Sequence, residues 1–302
     1  MNIDKFKNHD YVPDAQTKTE LEALNKSGEK LSGINLKHAD MEDAYLVESD
    51  ISESDLTRAN FKNVSMYGSN LEGSNLFKAN FEGANLKNSN LRGCNLLGAN
   101  LTNTKLENVD WGDNYKVVNE LEAEDAIKSG DVEKARDKYK EAEDVYRAVK
   151  LSLQSQTLGD ETGEFFIREM IAKRKQFPKF SLLRLGSKLI DLTTGYGEKM
   201  GNIAYTMLGI IISSAILFGL DGVSYNGKTV AFETIGTDIG YSFFETLVNL
   251  FYFSVVTYST VGYGEILPIG LLGKIVMMFE GMIGGIVMSV FIIAMYKKTM
   301  DR

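Results

Sequence analysis

The stretch YSFFETLVNLFYFSVVTYSTVGYGE occupies residues 241–265. Its first half reads as a helix with a marked start: Ser242, followed three residues later by Glu245, forms a capping box ahead of an apolar run. That run, residues 243–256, would be about 20 Å long at the helical rise of 1.5 Å per residue. It is too short to cross a hydrocarbon layer of roughly 30 Å. Gly262 and Gly264 then prevent the helix from continuing. A re-entrant helix followed by irregular backbone is expected. At membrane depth such backbone survives only where protein or a water-filled path surrounds it.

The flanks supply the membrane setting. Residues 203–220, IAYTMLGIIISSAILFGL, contain no charged side chain and are just long enough to span. Residues 271–296 form a second apolar span, with Lys274 near its start and Glu280 embedded in it. Residues 161–200, ahead of the first span, hold eight Lys/Arg against five Asp/Glu, and Lys297, Lys298 and Arg302 follow the second. Basic flanks stay on the cytoplasmic side, so both termini are expected there, in a multi-pass protein of the plasma (inner) membrane. A near-copy of the glycine motif, TTGYGE, lies at residues 193–198. It has no apolar helix before it and precedes the first span, so it is expected to be a turn at the membrane entry.

The N-terminal third obeys a different rule. From Leu31 to Trp111 a large apolar residue falls every five positions over seventeen pentads. A small residue stands two positions earlier in most of them, as in Ala39, Ala44, Ser49, Cys94 and Ala99, and Asn or Asp usually stands one position earlier. Period five fits neither a strand nor an amphipathic helix. It fits a square solenoid in which each pentad forms one side and the large residue points inward. This resembles the pentapeptide-repeat family, which implies a right-handed quadrilateral β-helix. Some members of that family mimic DNA with an acidic face, but a rigid scaffold is the expectation here.

After the solenoid, helical spacing returns, broken at Ser129-Gly130 and at residues 158–160. The segments resemble tetratricopeptide-type helix pairs. Residues 177–192, FPKFSLLRLGSKLIDL, mix apolar with basic residues and suit a helix lying on the membrane surface. The expected fold is therefore a multidomain membrane protein: a cap segment (1–28), a pentapeptide-repeat β-helix (29–112), an α-helical linker (113–176), an interfacial segment (177–199) and an all-α two-span pore domain (200–302). The solenoid is expected to have its own core, so that deleting residues 1–112 would leave the pore assembled. In the pore domain the helix is expected at 242–256 and the irregular segment at 260–264.

With the order span, capped short helix, T-x-x-T-V-G-Y-G, span in place, residues 200–298 resemble a two-span potassium-channel subunit. The resemblance implies a homotetramer around one pore, with K+ as the transported ion. It implies ion binding by the carbonyls of Thr260, Val261, Gly262 and Tyr263 with Gly264, aided by the Thr260 hydroxyl. Thr257, Tyr258 and Glu265 would support the filter, and Tyr263 would brace it from behind. Glu265 stands where many members carry Asp. Counting from the filter places a glycine hinge at Gly284, with Gly285 next, and Met288, Ile292 and Tyr296 lining the inner pore. Two readings of Glu280 stand open: a structural brace behind the filter, or a carboxylate facing the cavity.

One cysteine excludes an internal disulfide, and two histidines (His9 and His38) with one cysteine cannot build a Cys/His zinc site. No phosphate loop or nucleophile–His pair is present, so enzymatic activity is not expected. No signal peptide is expected either. The reading is a potassium-selective channel with a cytoplasmic N-terminal scaffold or regulatory domain, contacting membrane lipids, with no organic cofactor and no nucleic-acid partner. The cytoplasmic partner or ligand of that domain is not specified by the sequence. The alternative is a membrane-anchored pentapeptide-repeat scaffold whose pore is non-conducting or non-selective.

Overall fold

The computed structural model describes residues 3–156 and 159–300. It falls into two compact units, which divide between Lys188 and Leu189.

The first unit is built on the solenoid. Parallel bridges join residues twenty apart, from Asn35↔Asp55 to Asn90↔Asp110, so four pentads complete one coil. The backbone of each coil bonds to the next, as in Leu36 N→Asp55 O at 2.8 Å and Asp55 N→Ile34 O at 2.9 Å. The large residues of the repeat are buried without exception, and Phe61 and Phe81 of successive coils stack at 5.1 Å. The small column fills the remaining interior and uses its polar atoms: Ser74 Oγ donates to the Ile51 carbonyl at 2.8 Å and Thr104 Oγ1 to that of Phe81 at 2.7 Å. Cys94 occupies an equivalent place, its thiol donating to the Leu71 carbonyl at 3.0 Å. Burial pushes that thiol up to about 12, so it behaves as an interior small residue. The Asn column forms a ladder on the outside, with Asn80 donating to Asn60 at 3.1 Å and Asn100 to Asn80 at 2.9 Å.

Two short helices, α1 (Asp4–Lys7) and α2 (Thr17–Lys26), cover the first coil with Phe6, Leu21 and Leu24. Three helices follow the last coil: α3 (Val118–Lys128), α4 (Val132–Ser155) and α5 (Gly159–Lys175). The α3–α4 break falls at Gly130 (φ +83°), after which Asp131 caps α4 by accepting from Lys134 N. These helices are not a separate body. Trp111 of the solenoid meets Phe165 of α5 edge-on at 5.0 Å, and Tyr146, Val149 and Leu153 of α4 lie in the same core cluster as the repeat leucines. Gln156 closes the open edge of the last coil, accepting from Leu106 N at 2.9 Å and donating to the Thr104 carbonyl at 2.6 Å. The expected boundary at residue 112 therefore runs through a shared core.

Helix α6 (Leu182–Thr194) leaves Leu182, Leu183, Leu185, Leu189 and Ile190 exposed. It starts after Pro178 and Ser181, so Phe180 precedes it. In the second unit lie α7 (Met200–Asp221) and α9 (Leu271–Met300), among the described residues the two helices long and apolar enough to span a membrane, each slightly longer than the apolar run that predicts it. Between them α8 (Phe243–Tyr258) packs against both. A small antiparallel sheet joins β1 (Val223–Tyr225) to β2 (Lys228–Val230) and to β3 (Ile266–Pro268), the strand that follows the glycine motif. Asp221, at the end of α7, accepts from Gly273 N at 2.7 Å and so caps the start of α9.

Candidate ion-conducting site

The site begins at the start of α8. Ser242 and Glu245 form the expected capping box, which fixes the entry of the chain into the helix. The helix runs two residues past its predicted end, through Thr257 and Tyr258, both buried. Its last carbonyls are answered by the segment that follows: Thr260 N bonds to Thr257 O at 3.0 Å and Val261 N to Val256 O at 3.1 Å. The glycine segment is thus tethered to the helix terminus.

Beyond that point the backbone alternates. Thr260, Gly262 and Gly264 have φ of +57°, +58° and +80°, while Val261 and Tyr263 between them do not enter the left-handed region. Two of the three positions carry the residue that adopts this conformation freely. Thr260 adopts it at a cost of about 1–2 kcal/mol. Strain of that kind, held by neighbouring structure, is characteristic of functional segments. The near-copy at 193–198 differs. There Gly195, Tyr196 and Gly197 all have positive φ in succession (+56°, +56° and +86°), which makes a tight turn. This turn lies beside the end of α9: a Cβ on Gly197 would sit 4.0 Å from Val290, and Glu198 pairs with Lys297 at 2.7 Å.

The residues expected to support the filter are distributed as follows. Glu265 accepts a very short hydrogen bond from Tyr252 of α8. Tyr258 is buried between α8 and α9, whereas Tyr263 is 70% exposed in the single chain, so no bracing role for it is formed within one subunit. Gly284 faces the end of α8 so closely that a Cβ there would overlap the Tyr258 carbonyl, and Gly281, one turn earlier, faces the Thr257 carbonyl. Gly284 is therefore a close-packing residue. Gly285 faces open space. Ile292 and Tyr296 are exposed and Met288 is half-buried. Glu280 is buried, and it is joined to Ser254 of α8 at 2.5 Å. Sequence reasoning missed the partners Tyr252 and Ser254, and their place on the two faces of an apolar helix gave no signal. Among the described residues no group of His, Cys, Asp and Glu could hold a metal ion, so the donors on offer at this site are backbone carbonyls and the Thr260 hydroxyl.

Comparison with known proteins finds two family models on the chain. The family model for pentapeptide repeats matches in eight copies over residues 30–63, 39–76, 54–93 and 74–110. The ion channel family model matches residues 227–300. The chain therefore carries pentapeptide repeats and an ion-channel domain, with two candidate membrane helices. No curated protein matches over the chain. Among solved structures, similarity is found to HetL, a pentapeptide repeat protein involved in heterocyst differentiation regulation from Nostoc sp. Strain PCC 7120, at 31% identity over 27% of this chain and 36% of HetL, TM-score 0.22. The pentapeptide repeat protein alr5209 from Nostoc PCC 7120 matches at 25% identity over 39% of this chain and 94% of its own, TM-score 0.30. Rfr23 from Cyanothece 51142 matches at 35% identity over 29% and 66%, TM-score 0.17. This chain spans only about a third of HetL's length.

Proposed function

We propose that the protein is the subunit of a potassium-selective, passively conducting channel. The observation that carries this reading is the alternation of positive φ at Thr260, Gly262 and Gly264, directly after a short re-entrant helix and between two apolar spans. Alternating handedness turns successive carbonyls to the same side. The carbonyls of Thr260, Val261, Gly262 and Tyr263 can then replace the hydration shell of a potassium ion passing as cargo. The negative end of the α8 dipole favours a cation near this segment.

Four copies are needed to surround such a segment, and the single chain leaves room for them. An apolar groove of about 580 Å³, lined by Ile212, Ala215, Phe232, Leu247, Phe251 and Val255, lies open between α7 and α8. Tyr263 and Val261 are exposed for the same reason: their neighbours belong to other subunits. The basic residues before α7 and after α9 favour cytoplasmic termini in an inner or plasma membrane, with the pentapeptide-repeat unit as a cytoplasmic scaffold or regulatory domain.

Flux into liposomes containing the purified tetramer tests the reading. Potassium and rubidium are expected to enter and sodium far less. Equal sodium and potassium fluxes through verified tetramers overturn potassium selectivity, and no flux of either favours a membrane-anchored scaffold.

A further inference from the structure

Glu280 sits in the middle of α9 and is 2% exposed even in a single chain, so its burial does not depend on a neighbouring subunit. The groups that face it are few. Ser254 and Tyr258 approach from α8, and Ser214 stands beside it from α7 without a hydrogen bond of ordinary geometry. No lysine, arginine or histidine of the described residues faces it. Its Oε2 has no partner, and neither has the Tyr258 hydroxyl.

Counting protons constrains its state. Ser254 Oγ lies 2.5 Å from Glu280 Oε1 and 2.8 Å from the Ile211 carbonyl of α7. A hydroxyl has one proton to give. An ionised carboxylate and the Ile211 carbonyl can both only accept, so one serine proton cannot serve both contacts; a proton on the carboxyl gives each contact a donor, with Ser254 donating to Ile211 and Glu280 to Ser254. The ionised alternative leaves a carboxylate in an apolar span with only the hydroxyls of Ser254 and Ser214 beside it and no counter-charge, a state that is strongly disfavoured.

We propose that Glu280 is a protonated carboxylic acid that donates to Ser254, and that the relay Glu280→Ser254→Ile211 staples α9, α8 and α7 together behind the filter. Ser254 lies one turn before Thr257 and Tyr258, whose carbonyls are met by Gly281 and Gly284 of the same α9 face. The staple therefore fixes the end of α8 from which the 260–264 segment departs. Glu280 is a positioning residue and does not touch the ion. The effect on flux rests on the channel reading above; the state of the carboxyl does not.

The experiment uses the full-length protein in lipid. Infrared difference spectra between wild type and Glu280→Gln at pH 7 are expected to show one protonated carboxylic-acid band that the variant lacks. Ser254→Ala, which removes the acceptor, is expected to shift that band. In flux assays Glu280→Gln, whose amide still donates, is expected to conduct like wild type. Glu280→Ala is expected to lose about tenfold, the scale of one buried hydrogen bond. A carboxylate band in place of the acid band overturns the proposal, as does a band that Ser254→Ala leaves unmoved. Glu280→Gln as impaired as Glu280→Ala overturns the donor role. Absent flux in wild type alone would count against the channel reading, while the infrared result would still decide the state of Glu280.

Discussion

At single residues the structure separates look-alikes. Gly262 and Gly197 belong to two near-identical motifs, and both have positive φ. Alanine at either costs about 1 kcal/mol or more in conformational energy. Only at Gly262 does that cost fall on the alternating carbonyls. Gly262→Ala is therefore expected to abolish the preference for potassium over sodium, and Gly197→Ala to leave it unchanged; liposome flux ratios check both. Gly284 and Gly285 form a second such pair, adjacent on α9. A methyl on Gly284 would collide with the Tyr258 carbonyl, while one on Gly285 meets nothing. Gly284→Ala is expected to lose most flux and to lower the melting temperature of the protein. Gly285→Ala is expected to keep both and to gain slightly from better helix propensity, worth about 1 kcal/mol. The reverse ranking would restore a hinge role to Gly284.

At the scale of elements, what was legible depended on whether one column of residues carried the signal. The apolar and small columns of the solenoid are read directly from the sequence because burial allows few exceptions. A third column, two residues after each large one from Leu31 to Leu106, holds left-handed φ, as at Gly68, Gly73, Asn88 and Gly93, but also at Glu48, Arg58 and Lys78. Those charged residues hide the column, since an exposed corner tolerates the strain. The β1–β2 hairpin was readable and went unread: Asn226-Gly227 between two short apolar-polar segments is the strongest short hairpin signal, and both residues have positive φ. The Gln156 closure and the Tyr252–Glu265 and Ser254–Glu280 pairs were not readable, because each joins residues whose proximity only the fold creates.

The helices after the solenoid carry a pH-dependent network. Glu120 is fully buried, accepting from Tyr146 Oη at 2.5 Å and from Lys175 at 3.0 Å. Burial pulls Glu124 upward, but Lys116 and Lys175 outweigh it and hold the carboxyl below its ordinary value of 4.5. A lowered carboxylate stabilises the fold above its unfolded value, and that contribution is lost as pH falls through the folded one. The chain has a single tryptophan, Trp111, packed on Phe165 at the junction of solenoid and helices, so its emission reports this junction alone. Urea midpoints followed by Trp111 emission are expected to fall from neutral pH to about pH 4 and below. Glu124→Gln is expected to lower the midpoint at pH 7 and to flatten that dependence.

Across the whole molecule the question is where the chain can be cut. The repeat ends near residue 110 in sequence, and the family model for pentapeptide repeats ends there too. The core does not. Phe165, Tyr146, Val149 and Leu153 belong to the cluster that includes Trp111 and Leu106, and Gln156 satisfies the backbone of the last coil. Removing residues 1–112 would uncover these side chains, each worth roughly 1.5–3 kcal/mol when buried, and would leave α4 and α5 with an apolar face in water. That truncation is expected to aggregate in mild detergent. The helical break between α5 and α6 lies at residues 176–181, after the last helix of this core in the chain, and the contacts that hold α8 and α9 in place lie within Leu189–Met300. A chain beginning at residue 178 is therefore expected to elute as a monodisperse oligomer and to keep the potassium-over-sodium flux ratio of the full protein. Size-exclusion chromatography with light scattering, followed by flux, distinguishes the outcomes. Monodisperse, conducting protein from the cut at 112 would refute the shared core as a folding unit. Monomers from the cut at 178 would show that the N-terminal unit drives assembly.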